Sequence, residues 1–153
     1  MKQSAADIMT TKLVLLHPMD EVPRIAEILA KHQISAAPVV DQQGKLLGMV
    51  SEDDLIRPLS AKTATRRAWW LELLAEGEDL APDFLAYLKQ EVRTAGELMT
   101  REVISVSPET GVEEIVDLLA RHNIKRVPVL KGGELVGIVS RADIIRTLSR
   151  GGR

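Results

Sequence analysis

The chain has 153 residues, of which 45% are apolar and 27% are charged. This length suits one globular domain or two small units that share a core. The formal net charge of −2 argues against nucleic acid as the main partner, because phosphate-binding proteins usually carry a basic excess. The absence of cysteine excludes disulfides and thiol chemistry. No apolar run approaches the length of a membrane span, so we expect a cytoplasmic protein without a membrane partner.

An internal repeat organises the sequence. Residues 5–41 and 95–131 are identical at 12 of 37 positions with a constant offset of 90, and an offset of 89 aligns the rest after the loss of one loop residue. We therefore predict two repeats, residues 4–57 and 94–149, separated by an insertion at residues 58–93. Since each repeat is too short to bury a core alone, we expect the two to be related by a pseudo-twofold axis, with ligand clefts near it.

The leading elements are clearest in the second repeat. Residues 94–98 have the pattern of a helical turn, and residues 103–106 that of a short strand. Thr110 and Glu113 have the spacing of a capping box, which predicts the start of a longer helix. One face of that helix carries its apolar residues, namely Val112, Ile115, Val116 and Leu119.

The remaining elements form a hairpin and a last helix. The longer helix should end at Asn123, because asparagine tolerates the left-handed conformation of a helix end. Residues 127–130 and 135–139 are predicted strands, joined by a turn at residues 131–134 that contains two glycines. Ser140 should then cap the last helix.

The first repeat follows the same order of elements, with its hairpin turn at residues 41–44. The predicted fold is therefore α/β (α+β): two βαββα repeats about a pseudo-twofold axis, with an inserted helical hairpin between them. The hairpin consists of helices at residues 66–75 and 82–90. We expect its aromatic residues to pack on the repeats or on a partner subunit, and closure of a tryptophan over a ligand is the alternative. These residues are Trp69, Trp70, Phe84 and Tyr87, which are all the aromatic residues of the chain.

A Gly-x-x-Ser-x-x-Asp motif occurs once in each repeat, at residues 48–54 and 137–143. A strand ends there and a serine stands at the N-cap of a helix, whose free N–H groups and positive dipole end suit a phosphate. Asp54 and Asp143 lie one turn into the helix, where a carboxylate can accept both hydroxyls of a ribose. The alternative is an ordinary capping box, which requires no ligand.

Together with the Pro-Val strand that precedes them, these motifs resemble a known family. Residues 34–41 followed by residues 48–54 resemble a cystathionine-β-synthase (CBS) domain, and residues 124–129 followed by residues 137–143 resemble a second. The pair is similar to a Bateman module. The resemblance implies a non-enzymatic regulatory sensor whose two clefts bind AMP, ADP, ATP or S-adenosylmethionine. It also implies homodimers stacked as a flat disc and an effector protein of unknown identity.

The resemblance further implies which residues line the two clefts. In the first repeat they are Leu13, Ile34, Ser35, Ala36, Pro38, Ser51 and Asp54. In the second repeat they are Val103, Lys125, Arg126, Val127, Pro128, Ser140, Arg141 and Asp143. The first residue of each set is expected to pack against the adenine. The residues at the Pro-Val strand frame the base or the phosphates, and the serine and aspartate contact phosphate and ribose.

The two repeats differ in charge at the expected clefts. The second carries Lys125, Arg126 and Arg141, whereas the first adds Glu52 and Asp53 beside its aspartate. Arginine can grip phosphate with two hydrogen bonds, while clustered carboxylates repel it. We therefore expect nucleotide phosphates to lie in the second repeat, whereas the first repeat binds more weakly or takes a ligand with less negative charge. The alternative is that the basic residues only form a hydrated surface and bind no ligand.

Other classes of function find little support in the residues. We recognise no nucleophile–base set, phosphate-binding loop or zinc signature, so no catalytic residue and no metal site is expected. His32 and His122 stand at helix ends, where interaction with terminal carbonyls explains them. The main rival is a ligand-free interaction scaffold that uses the aromatic hairpin as its functional surface.

Overall fold

The structure is a computed structural model that describes residues 3–55 and 93–150. Its elements in chain order are α1 (Ala5–Ile8), α2 (Val22–His32), β1 (Ala36–Val40), β2 (Leu46–Ser51), α3 (Ala95–Leu98), α4 (Val112–Arg121), β3 (Arg126–Lys131), β4 (Glu134–Ser140) and α5 (Arg141–Arg150). β1 pairs with β2, and β3 pairs with β4. Small hairpin sheets combined with helices confirm the predicted α+β class. The hairpin predicted between the repeats lies outside the described residues, apart from Arg93.

The chain folds into two compact units that do not follow the order of the sequence. The described residues of the C-terminal unit are 3–14, 40–46 and 102–150. Those of the N-terminal unit are 15–39, 47–55 and 93–101. Each unit therefore contains the short leading helix of the other repeat: α1 belongs to the C-terminal unit and α3 to the N-terminal unit. None of the helices within these ranges is long and apolar enough to cross a bilayer.

The leading helices are held by capping boxes and by main-chain bonds. At α1, Ser4 and Asp7 satisfy each other's backbone N–H groups. At α3, Thr94 and Glu97 form the equivalent box. The Ala5 N–H then donates to the Thr110 carbonyl over 2.8 Å, which ties α1 to the loop before α4. Backbone bonds of this kind anchor a four-residue helix that would not be stable alone.

Each unit packs one helix face against one sheet face. In the C-terminal unit, Ile115 and Leu119 of α4 are buried against Val127 and Val139, which are register partners in the β3–β4 ladder. The N-terminal unit repeats this arrangement with the equivalent residues Ile25, Leu29, Ala37 and Val50. Apolar residues four apart on the helix and two apart on the strand produce these faces.

The predicted helix end and hairpin turn are confirmed. α4 ends at Arg121, and Asn123 adopts a φ of 51° just beyond it. Gln33 follows α2 with a φ of 53°. Gly132 and Gly133 both have positive φ, as a two-residue primed turn requires. The hairpin is thus closed without steric cost, because glycine has no Cβ.

The predicted capping box at Thr110 is wrong. The N-cap of α4 is Gly111, and no side chain caps the helix there. The Thr110 hydroxyl instead accepts the Ser107 N–H at 3.0 Å, a local bond that competes with capping. The Val112 N–H, one of the groups that a cap would serve, donates to the Gln3 carbonyl at 3.1 Å. The backbone of the residue just before the first repeat therefore accepts the hydrogen bond of an N–H group that a capping side chain was expected to serve.

Two further expectations for the second repeat differ from the structure. The strand predicted at residues 103–106 is reduced to one parallel bridge, in which Val106 pairs with Val129. The bridge uses the outer edge of β3, and only Val106 follows that edge closely enough to exchange hydrogen bonds. Val116 was expected on the buried face of α4, but it is 43% exposed. It directly follows Ile115, and adjacent helical residues point about 100° apart.

Candidate functional site

Ser140 and Asp143 form a capping box where β4 passes into α5. The Ser140 backbone N–H donates to Asp143 Oδ2 over 2.8 Å, and its hydroxyl donates to the same oxygen over 3.1 Å. In return, the Asp143 N–H donates to the Ser140 hydroxyl over 3.2 Å. The predicted cap is therefore confirmed. This geometry is that of the alternative interpretation of the motif, a capping box that holds without a ligand.

The other oxygen of Asp143 has two further donors. The Thr10 hydroxyl donates to Oδ1 over 3.0 Å, and the Arg146 guanidinium donates to it from one turn further along α5. Asp143 is only 3% exposed, so this carboxylate is a buried charge stabilised by four donors. Among the described residues it thus joins three elements: the end of β4, helix α5 and the segment after α1.

The N-terminal unit contains the matching box at the end of β2. The Ser51 backbone N–H and hydroxyl donate to Asp54 Oδ2 over 2.8 and 3.2 Å. Asp54 is 7% exposed, whereas Glu52 and Asp53 are exposed. The Glu52 N–H donates to the Ser35 carbonyl over 2.9 Å, which places two predicted cleft segments side by side. The acidic character expected for the first repeat therefore lies at its surface.

The basic residues of the second repeat lie together at the end of the β3–β4 ladder. Arg126 is the register partner of Ser140. The Arg141 backbone N–H donates to the Lys125 carbonyl over 3.0 Å, and its Nε donates to the Ile124 carbonyl over 3.2 Å. Lys125 and Arg141 are exposed. Three cationic side chains therefore start from the point where α5 presents its N-terminal N–H groups.

The other predicted cleft residues are more enclosed. Ile34, Leu13 and Val103 are half-buried, and Leu13 and Val103 lie outside regular secondary structure. Val103 belongs to the same unit as the basic residues, whereas Leu13 and Ser35 fall in different units. Packing of Leu13 on an adenine in the first repeat therefore stays a prediction. Four predicted residues are buried in the strands and would offer a ligand mainly their backbone: Ala36, Pro38, Val127 and Pro128.

The glycine of each motif allows a methionine to approach the strand. A Cβ built on Gly137 would collide with the Met9 Sδ and lie 2.8 Å from its Cγ. A Cβ on Gly48 would lie 2.6 Å from the Thr100 carbonyl oxygen and 2.8 Å from the Met99 Sδ. All of these distances are shorter than van der Waals contact. The motif glycine therefore lets the leading segment of the opposite repeat pack closely against the strand.

Sequence reasoning missed Met9, Thr10 and Arg146 as neighbours of Asp143. A signal for them was present, because the Met-Thr pair recurs at residues 99–100 and the arginine recurs at position 57. The recurrence of these residues was not linked to Asp143, because the local sequence does not indicate that each leading helix packs in the unit of the other repeat. Within residues 3–55 and 93–150, no group of three or more His, Asp and Glu side chains lies close enough to hold a metal ion.

Two similar units, each with a Ser–Asp box between a strand and a helix, define a tandem α+β repeat. The CBS domain profile matches residues 5–61 and 95–150, which together cover most of the chain. The protein therefore belongs to the CBS domain family, and the resemblance noted in the sequence is confirmed.

Relatives with full-length similarity support this assignment. The protein MJ1426 of Methanocaldococcus jannaschii is 31% identical over 150 residues, which span 93% of this chain and 89% of the relative. The crystal structure of CBSX2 in complex with AMP has a TM-score of 0.73 and 27% identity, covering 99% of each chain. The CBS domain pair of protein MJ0100, in complex with 5′-methylthioadenosine and S-adenosyl-L-methionine, has a TM-score of 0.69 and 27% identity, covering 100% of each.

Proposed function

We propose that this protein is a regulatory sensor that binds an adenosine-containing ligand at the junction of β4 and α5. The observation that carries the proposal is that Lys125, Arg126 and Arg141 all lie at the N-terminus of α5, beside the buried Asp143. Cationic side chains and the positive end of a helix dipole attract phosphate, and a carboxylate accepts ribose hydroxyls. This combination matches the chemistry of a nucleotide better than that of a metal or an acidic peptide.

The comparisons support the ligand class. Two similar structures contain adenosine compounds, AMP in CBSX2 and 5′-methylthioadenosine with S-adenosyl-L-methionine in MJ0100. These ligands share adenine and a ribose but differ in charge, so the charge of the site decides among them. The basic cluster of this chain favours the phosphorylated members, namely AMP, ADP and ATP, over S-adenosylmethionine.

The proposed roles of the residues follow from their positions. The phosphates lie toward Lys125, Arg126, Arg141 and the N-terminus of α5, capped by Ser140. The ribose meets the buried carboxylate of the same box. Val103 and the buried Pro-Val strand face the base. The equivalent site of the first repeat, at Ser51 and Asp54, takes a ligand more weakly because exposed carboxylates adjoin it.

The proposal also covers the localisation, the assembly and the signalling role of the protein. We propose a cytoplasmic, non-enzymatic homodimer that transmits ligand binding to an effector protein. Ligand binding changes a conformational equilibrium only if the two states differ in affinity for the ligand. The scaffold alternative, in which the clefts stay empty and residues 58–93 form the working surface, makes the opposite prediction for ligand binding.

Isothermal titration calorimetry with AMP, ATP and S-adenosylmethionine tests the proposal. We expect saturable binding, with AMP and ATP tighter than S-adenosylmethionine at physiological salt. Analysis of the same samples for breakdown products tests the non-enzymatic part, for which we expect the ligand to be recovered intact. Absence of binding for all three compounds would favour the scaffold.

A further inference from the structure

Arg146, like Thr10, donates to Asp143 and has no role in the proposed ligand site. Its guanidinium donates to Asp143 Oδ1 and forms an ion pair with it. The side chain of Asp143 is 2% exposed, whereas that of Arg146 is 57% exposed. The carboxylate is therefore fixed inside the unit, while its cationic partner lies at the surface.

A ligand hydroxyl has to displace an existing donor in order to reach this carboxylate. The two oxygens offer about four lone-pair positions. Oδ2 accepts from the N–H and hydroxyl of Ser140, and Oδ1 accepts from Thr10 and Arg146. No position is left for a ribose hydroxyl as long as all four bonds persist.

Arg146 is the donor that can leave most easily. Ser140 is part of the β4 ladder and caps α5. Thr10 is held by two backbone bonds with Ile138, at 2.8 and 3.0 Å. Arg146 reaches Asp143 only through a long and largely exposed side chain, which can rotate into water. Its departure costs an ion pair that salt screens in part, because the guanidinium is exposed while the carboxylate is buried.

We propose that Arg146 is a specificity-determining residue, which competes with the ribose for Asp143 and so biases the site against neutral adenosine compounds. This inference rests on the proposed function. A neutral nucleoside breaks the ion pair and leaves the guanidinium without an anion. A phosphorylated nucleotide places an anion at the N-terminus of α5, five residues or about 8 Å of helix rise from Arg146. This distance is comparable to the Debye length at physiological salt, so the displaced cation still contributes to binding.

The substitution Arg146→Gln tests the proposal by titration with adenosine and AMP at low and high salt. We expect adenosine to bind at least about threefold more tightly, since the ion pair that competes for Asp143 is lost. AMP should change less, so the affinity ratio of AMP to adenosine falls. In the unmodified protein, salt should strengthen adenosine binding by weakening the ion pair, and this effect should vanish in the variant.

Arg150→Gln is the matched control, because it removes the same charge from an exposed residue one turn further along α5. It should leave the ratio and the salt effect unchanged. Equal effects of the two substitutions, or unchanged adenosine affinity in Arg146→Gln, would overturn the inference alone. If neither ligand binds the unmodified protein, the proposed function fails and the inference with it. Should Arg146→Gln not fold, Arg146→Lys is expected to show the same changes at smaller size, and unchanged affinities there would overturn the inference.

Discussion

Thr10 donates its hydroxyl to Asp143 over 3.0 Å, although the two residues are 133 positions apart in the chain. The Thr10 main chain also pairs with Ile138, and the Thr100 main chain pairs with Met49 in the other unit. The Met-Thr pair of each repeat therefore lies against the Gly-x-x-Ser-x-x-Asp motif of the opposite repeat. Two sequence features that recur separately are thus one structural feature, which includes the candidate ribose ligand.

The first prediction concerns this long-range bond. Thr10→Val keeps the shape of the side chain and removes the donor to a buried carboxylate, so the free energy of unfolding should fall by about 1 kcal/mol. Thr11→Val is the matched control, because Thr11 is the neighbouring, exposed threonine. Urea denaturation monitored by circular dichroism measures both changes. Equal midpoints for the two variants would show that the bond adds nothing to stability.

The second prediction concerns the motif glycines. Gly48→Ala should destabilise its unit more than Gly137→Ala, because its Cβ meets the fixed Thr100 carbonyl at 2.6 Å. The three atoms nearest to a Cβ on Gly137 belong to the Met9 side chain, whose sulfur and Cγ can move by rotation about its side-chain bonds. Overpacking of this kind costs about 1–3 kcal/mol. Thermal unfolding of both variants measures the difference, with Gly111→Ala as control, since a Cβ there meets nothing within 4 Å. The reverse order of the two variants would contradict the packing described.

The third prediction separates ligand binding from capping. Asp143→Asn should weaken AMP binding and also lower the free energy of unfolding by about 1–3 kcal/mol, because an amide cannot accept from all four donors. Asp54→Asn disturbs the matching box in the N-terminal unit. It should lower the free energy of unfolding by a similar amount, but its loss of AMP affinity should be smaller. Calorimetry at a temperature where both variants are folded gives the affinities. Undiminished AMP binding by folded Asp143→Asn would leave the aspartate with a capping role alone.

The fourth prediction concerns the phosphate end of the site. Arg126→Ala should weaken AMP and ATP binding and flatten its salt dependence, while adenosine affinity stays nearly unchanged. Lys131→Ala is the control, since Lys131 lies at the other end of β3 and is exposed. Titrations at two salt concentrations provide the comparison. Equal losses for adenosine and ATP would place Arg126 away from the phosphates.

The fifth prediction concerns assembly. We expect light scattering at micromolar concentration to give a mass near twice the 16.9 kDa of the chain. Ile145 and Leu148 on α5 are 63% and 65% exposed, and apolar residues of this size are commonly covered by a second copy. Leu148→Glu should shift the equilibrium toward monomer. A monomeric mass for the unmodified protein at this concentration would overturn the homodimer.

The local features that sequence predicted correctly are those that depend on neighbouring residues. Asn123 ends a helix because its backbone tolerates positive φ, and Gly132 with Gly133 closes a hairpin for the same reason. Ser140 caps α5 through a residue three positions away. The prediction at Thr110 was wrong because the backbone of Gln3, a distant segment, meets the start of α4 instead.

The amino-acid sequence by itself determined the duplication, the α+β class, the CBS family and the charge difference between the repeats, since these depend on residue order and residue type. Only the tertiary structure decided what surrounds the candidate carboxylate. Thr10 reaches Asp143 because the leading helix of one repeat packs in the unit of the other. Arg146 reaches it because one helical turn brings residues three apart onto one face. Burial then makes these contacts strong, because a carboxylate removed from water has to be satisfied by the donors that the fold places around it.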